Sequence, residues 1–191
     1  MPTDPSVDVA RFAPRMTTRR QRSFANDFLK TWTEHEFWDT LEIGDTRQIP
    51  GVFEVNEDDV LAYNLSIGET HPLYVDRDYA RKHAPGGTLV VHPVFPTTVA
   101  FWFQRPGVQG SWIRTPGARN PFQRFEIHQP IRVGDRLRLW QENSEKFVRR
   151  GSAYVTTHGI LRDQSGADKA EFWGTLILPR SRADVRKFAE A

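Results

Sequence analysis

The chain has 191 residues, with 26 basic and 24 acidic side chains and no cysteine. That length suits one domain with one substantial core, and the near-balanced formal charge of +2 gives no electrostatic case for a nucleic-acid binder. The lack of cysteine excludes disulfides and thiolate chemistry, while the absence of a long apolar run and of a basic-then-apolar start argues for no membrane association and a cytoplasmic location.

In chain order, residues 1–22 are rich in Pro, Thr and Arg and poor in apolar groups, which predicts a mobile or partner-draped arm. Its cluster of Arg15, Arg19, Arg20 and Arg22 reads first as solvated surface charge. Between 24 and 39 the character changes. Phe24, Phe28, Trp32, Phe37 and Trp38 recur at a spacing that predicts an amphipathic helix with an aromatic stripe. We therefore divide the chain into an N-terminal arm and aromatic helix over 1–40, a folded domain over 41–180, and a tail over 181–191.

Val52-Phe53-Glu54-Val55 predicts a short strand, and Asn56 a helix N-cap, followed by the acidic first turn Glu57-Asp58-Asp59 that favours the helix dipole. Gly86-Gly87 marks a turn and Leu89-Val90-Val91 a strand-like run. After His92 comes a segment apolar on all sides, and a helix without a polar face must be buried. The last third predicts strands over 122–127, 132–142, 152–162 and 171–178, with turns at Pro130, Gly134-Asp135, Gly151 and 163–166. Helices first and antiparallel strands afterwards give an α+β class.

The most informative stretch is Gly68-Glu69-Thr70-His71-Pro72-Leu73-Tyr74-Val75-Asp76, leading through Tyr79-Ala80 to His92-Pro93 at the head of the apolar segment. It resembles the signature of the MaoC-like hotdog hydratases and dehydratases, most closely their FAS1-like N-terminal dehydratase half. The resemblance covers about residues 40–180 and implies a hotdog fold, an antiparallel sheet wrapped around a central buried helix. It also implies reversible hydration of a 2-enoyl thioester, in which an Asp and a His five residues later act on water and the substrate α-carbon, and a backbone N–H of a His-Gly pair holds the enolate oxygen.

At the two side-chain positions this chain carries Glu69 and Tyr74, and at the amide position Pro93. A glutamate keeps the carboxylate on a longer stem, although general acid–base work tolerates little misplacement. A tyrosine, with an ordinary pKa of about 10, is a reluctant base near neutral pH. Proline has no N–H to donate. His71 stands at the family's Asn position, two residues beyond Glu69, and an improvised Glu69–His71 dyad is the other way to supply a base. His92 is expected to brace the loop, and His92, Pro93, Val94 and Phe95 to line the substrate pocket. Asp76 is expected to cap a short helix over the site, and Asp135 to stabilise a turn.

His35, His83, His128 and His158 lack ligand-like spacing, and the sequence contains no metal signature, phosphate-cradling glycine loop or G-x-S-x-G elbow. No cofactor is implied; acyl-CoA enters as substrate, its phosphates within the chemistry of the N-terminal arginines or of Arg149 and Arg150. Two function classes follow. In the first, the chain is a catalytically degenerate hotdog subunit that pairs with a homologous active chain and shapes the acyl pocket of an enoyl-CoA hydratase or 3-hydroxyacyl-CoA dehydratase. In the second it is a self-sufficient homodimeric hydratase, or a thioesterase, using Glu69 with His71 or Tyr74. The many aromatic residues fit a wide lining for a ring-containing or long acyl group, and equally an aromatic core.

Overall fold

A computed structural model of the chain describes residues 13–28, 37–104 and 118–190. The expectations for Trp32 and for the orientation of Phe24 and Phe28 lie outside the described residues and side chains. Five strands, β1 (Gly44–Glu54), β2 (Arg119–Ile127), β3 (Arg136–Arg149), β4 (Ser152–Arg162) and β5 (Asp168–Leu178), form one antiparallel sheet in the order β1-β3-β4-β5-β2. The helices are α1 (Arg19–Phe28), α2 (Glu57–Ser66), α3 (Pro72–Val75), α4 (Arg77–His83), α5 (Pro96–Phe103) and α6 (Val185–Glu190). This is the expected α+β hotdog architecture.

Alternation of buried and partly exposed residues is strict along β4 and holds over the first half of β3. On β4, Ala153, Val155, Thr157, Gly159 and Leu161 point inward and are buried, while the residues between them are partly exposed. Gly159 is needed where it stands, because a Cβ there would lie 2.3 Å from the Phe172 ring of the neighbouring strand. The β3–β4 hairpin turns through Arg150 and Gly151, both with positive φ. Against this face lies α5, with Pro96, Val99, Ala100 and Phe103 buried. Phe53 of β1 meets Phe95 and Trp102 edge-to-face, with ring centroids 6.0 and 5.3 Å apart.

Several boundaries differ from the sequence reading for physical reasons. The buried helix begins at Pro96 rather than Pro93, because residues 93–95 form a turn in which the Phe95 N–H donates to the His92 carbonyl (2.9 Å). Pro96 then occupies a first-turn position, where a missing N–H is no loss. Leu89-Val90-Val91 belongs to no strand of the sheet; the Val90 N–H donates to the Leu73 carbonyl (3.0 Å). Strand β3 starts at Arg136, since Asp135 holds a turn by accepting the Arg132 N–H (2.9 Å) and pairing with buried Lys169 (3.3 Å), the structural role anticipated for it.

At the N-terminus α1 spans Arg19–Phe28 and so starts inside the predicted arm. Asn56 holds the extended N-cap backbone but makes no cap bond, its amide turning instead to Asp59 (3.4 Å). Strand β1 runs eight residues further back than Val52. Its polar run escaped the alternation pattern because it is a largely exposed edge strand whose register slips between Ile49 and Phe53, at Pro50-Gly51.

Candidate functional site

The site is organised by Asn64, fully buried on α2. Its Nδ2 donates to the Tyr74 carbonyl (2.8 Å) and the Val90 carbonyl (3.2 Å), tying together α2, α3 and the extended segment before His92. Asp76 caps α4 by accepting the N–H groups of Asp78 (2.9 Å) and Tyr79 (3.0 Å), as expected. His71 caps α3, its Nδ1 accepting the Leu73 N–H (3.3 Å). These bonds fix the segment Glu69–Asp76 over the start of the α5 turn.

Aromatic contacts join that segment to the turn. The Tyr74 ring lies between His71 and His92, with centroids 6.1 and 5.9 Å away. His92 also approaches Tyr63 (6.3 Å), which packs edge-to-face on Phe95 (5.3 Å). Burial raises the Tyr63 phenol above its ordinary pKa of 10.0. Tyr63 and Asn64 are the site residues that the sequence reading passed over; the available signal was an amide side chain inside an otherwise apolar helical stretch.

Three features restrict the chemistry. One oxygen of Glu69 accepts the N–H groups of both Thr70 (2.8 Å) and His71 (2.9 Å). These backbone bonds, with smaller contributions from the charges of His92 and His71, hold its pKa below 4.5, which favours the ionised carboxylate and weakens it as a base. Glu69 thus meets the His71 backbone amide; a carboxylate–imidazole dyad is not among its hydrogen bonds. The second feature is the α5 turn itself. Pro93 and Pro96 carry no N–H, the Val94 N–H donates to His92 Nδ1 (3.2 Å), and those of Phe95, Thr97 and Thr98 donate to the carbonyls of His92, Val94 and Phe95. No backbone donor from residue 93 to 98 is left for an oxyanion. The third concerns His71 and His92, each of which aims Nδ1 at a backbone N–H, that of Leu73 (3.3 Å) and that of Val94 (3.2 Å), so that this nitrogen is already engaged.

Of the residues expected to line the pocket, His92 is half-buried and Pro93 and Val94 are exposed. Phe95 is completely buried, packed against Phe53 and Tyr63. A cleft of about 240 Å³ lies between α1 and α5, lined by Arg20, Gln21, Thr97, Thr98, Phe101 and Trp102. Arg20 corrects the solvated-charge reading for one member of its cluster. Its guanidinium lies 3.8 Å above the Phe53 ring, pairs with Asp59 (2.7 Å) and donates to the Glu54 carbonyl (2.5 Å). Two of the histidines without ligand-like sequence spacing come together, because the sheet places His128 and His158 on either side of Glu171.

The family model of the FAS1-like dehydratase domain region matches residues 43–172. A UPF0336 protein of Streptomyces griseus subsp. griseus is 28% identical over 131 residues, spanning 65% of this chain and 83% of that protein. Among solved structures, the chain is similar to a chain of the C-terminally truncated HadBC (3R-hydroxyacyl-ACP dehydratase) complex of Mycobacterium tuberculosis, with a TM-score of 0.61 and 23% identity over 73% of this chain and 98% of the other. It is also similar to the R-hydratase PhaJ1 of Pseudomonas aeruginosa, with a TM-score of 0.59 and 18% identity over 75% and 86% of the two chains. The matched span takes in β1 to β4, the start of β5, the central helix and the Glu69–Asp76 segment, and the chain belongs to the FAS1-like dehydratase domain family.

Proposed function

We propose that this chain is the catalytically silent half of a hydratase or dehydratase acting on 2-enoyl or 3-hydroxyacyl thioesters. It shapes the acyl pocket beside a homologous hotdog chain that supplies the active carboxylate and imidazole. The observation that carries the reading is the set of spent donors: every N–H from residue 93 to 98 is absent or already bonded, and the Glu69 carboxylate is held ionised by two amides. One preorganised oxyanion donor is worth about 2.7–4 kcal/mol of barrier, so a half-site without it is a poor place to form an enolate. Similarity to a chain of a dehydratase complex supports the paired arrangement. The α1–α5 cleft, apolar at Phe101 and Trp102, is offered to the acyl chain, and the exposed Arg15, Arg19 and Arg22 or Arg149 and Arg150 to coenzyme A phosphates.

The test compares the chain alone with the chain co-assembled with its hotdog partner, in a hydration assay on 2-enoyl-CoA. The chain alone is expected to be inactive. The assembled pair should turn over, and Glu69→Ala should lower that turnover by no more than a few-fold. Turnover by the isolated chain that falls about a hundredfold on Glu69→Ala would overturn the proposal in favour of a homodimeric hydratase or thioesterase built on Glu69.

A further inference from the structure

On the face of the sheet opposite α5, the register of β2 and β5 places Glu126 directly across from Glu171. The neighbouring pair Phe125 and Phe172 points the other way, into the core, with rings 5.6 Å apart. Two carboxylates facing each other across adjacent strands repel, which costs stability unless a cation sits between or beside them. Arg124 meets Glu126 from one side only and lies 5.0 Å from the Trp173 ring. Glu171 has imidazoles for neighbours. His128 Nε2 is 3.3 Å from its Oε1, and His158 Nε2 is 3.3 Å from its Oε2.

We propose that Glu126, His128 and Glu171 form a binding site for one divalent cation of the zinc class, with His158 as a positioning residue. One donor atom from each of the three lies within 4.8 Å of the other two. Ligands bound at about 2.0–2.2 Å around one tetrahedral ion stand roughly 3.5 Å apart, so side-chain rotation alone closes the remaining distance. A mixed imidazole and carboxylate set suits Zn²⁺, Co²⁺ or Ni²⁺ rather than Mg²⁺ or Ca²⁺, which take oxygen ligands.

The surroundings are built to hold the ligands still. His158 stacks on Trp173 (4.8 Å between centroids, 10° between planes) and meets Glu142 through Nδ1 (3.7 Å), while Glu142 accepts the Thr46 hydroxyl (2.7 Å). Polar contacts therefore run from Thr46 on β1 through β3, β4 and β5 to His128 just beyond β2. This is the outer-shell support that sets ligand orientation in metal sites. Lying across the sheet from the His92 cluster, the ion would fasten edge strand β2 to β5 and take no part in thioester chemistry.

The test uses untagged full-length chain, freed of metal with a chelator and titrated with zinc chloride against a competing chromophoric chelator. Wild type should bind one equivalent and unfold at a higher temperature with zinc than with chelator. His128→Ala and Glu126→Gln should each weaken binding at least tenfold, His158→Ala less than either, and His83→Ala, at an exposed histidine elsewhere, not at all. In chelator the variants should remain folded, with Glu126→Gln melting no lower than wild type because it relieves the carboxylate repulsion. Should a variant fail to fold, imidazole NMR of wild type decides, because the His128 ring signals must shift with the first equivalent of zinc. Absence of stoichiometric binding, binding unchanged in His128→Ala, or zinc-induced shifts confined to other histidines would each overturn the site.

Discussion

Replacing Arg20 by Ala should cost the protein more stability than any other change to an N-terminal charge. The side chains of Arg20 and Asp59 are only 17% and 10% exposed, so the pair is a buried one. Its loss removes a charged hydrogen bond to Asp59, a second to the Glu54 carbonyl and the cation–π contact with Phe53, and leaves Asp59 with the long contact to Asn56. Charged hydrogen bonds contribute about 1.5–3 kcal/mol and a desolvated cation–π contact about 1 kcal/mol, less the entropy of fixing a long side chain; the expected loss is about 2–4 kcal/mol. For a chain of this size that corresponds to a fall in Tm of roughly 5–15 °C. Urea unfolding of Arg20→Ala, Asp59→Asn and the double variant measures the coupling, expected to be at least about 1.5 kcal/mol because each single change strands the other partner. A single-variant loss below about 0.5 kcal/mol, with no coupling, would refute the argument. It would mean that α1 adds nothing to the cooperative fold and that the α1–α5 cleft lacks a fixed wall.

The remaining predictions concern the site. Glu69→Asp with Tyr74→His should restore almost no hydration, whereas adding Pro93→Gly, which returns a backbone donor, should raise the rate about a hundredfold or more; equal rates for the double and triple variants would sink the emphasis on the amide. The depressed pKa of Glu69 means that its contribution to stability is present above pH 4.5 and is lost as the pH falls through its lower folded-state value. Glu69→Gln should therefore flatten the stability–pH curve below pH 4.5, and a curve with unchanged slope would count against the two amide bonds. Asn64→Asp should be far worse than Asn64→Leu, because it buries a charge in place of a donor facing two carbonyls, by several kcal/mol in thermal or urea unfolding.

What the sequence revealed follows from the range of the forces involved. β4 alternates without interruption and β3 over its first half, and the turns carry Asp163, Gly166 and Gly151, so local pattern and local turn chemistry suffice to place this part of the sheet. The buried helix is legible because a run with no polar face has only one place to go. By contrast, β1 pairs by its backbone along a largely exposed edge, and the docking of Arg20 depends on Phe53 and Asp59, some thirty to forty residues away. The Glu69–Tyr74 positions can be read from their resemblance to a motif. That the Val94 amide is consumed by His92 cannot, since it is a property of a three-residue turn whose torsions no side-chain pattern specifies. The His128 and Glu171 juxtaposition is hidden for the opposite reason: strand register, not sequence spacing, creates it.

The polar side chains that hold the site together and those that stand at its chemical positions have different freedom to vary. Asn64 and Asp135 satisfy backbone groups in buried places where an unpaired donor or acceptor is costly, and Asp76 caps a helix, so replacing any of them acts on the fold directly. A catalytic carboxylate carries no such obligation in the resting protein, because the charge it serves exists only during turnover. In this chain Glu69 has been given one: its oxygen closes the Thr70–His71 turn, and the same two bonds that make it useful to the fold lower its affinity for a proton. Pro93 combines the same trade, stiffening the turn before α5 while giving up the donor. On the proposed reading, a subunit whose partner supplies the chemistry is free to convert its reactive positions into structural ones. Glu69→Ala in the assembled enzyme distinguishes the two uses, since a structural carboxylate lowers Tm when removed while turnover at permissive temperature stays within a few-fold.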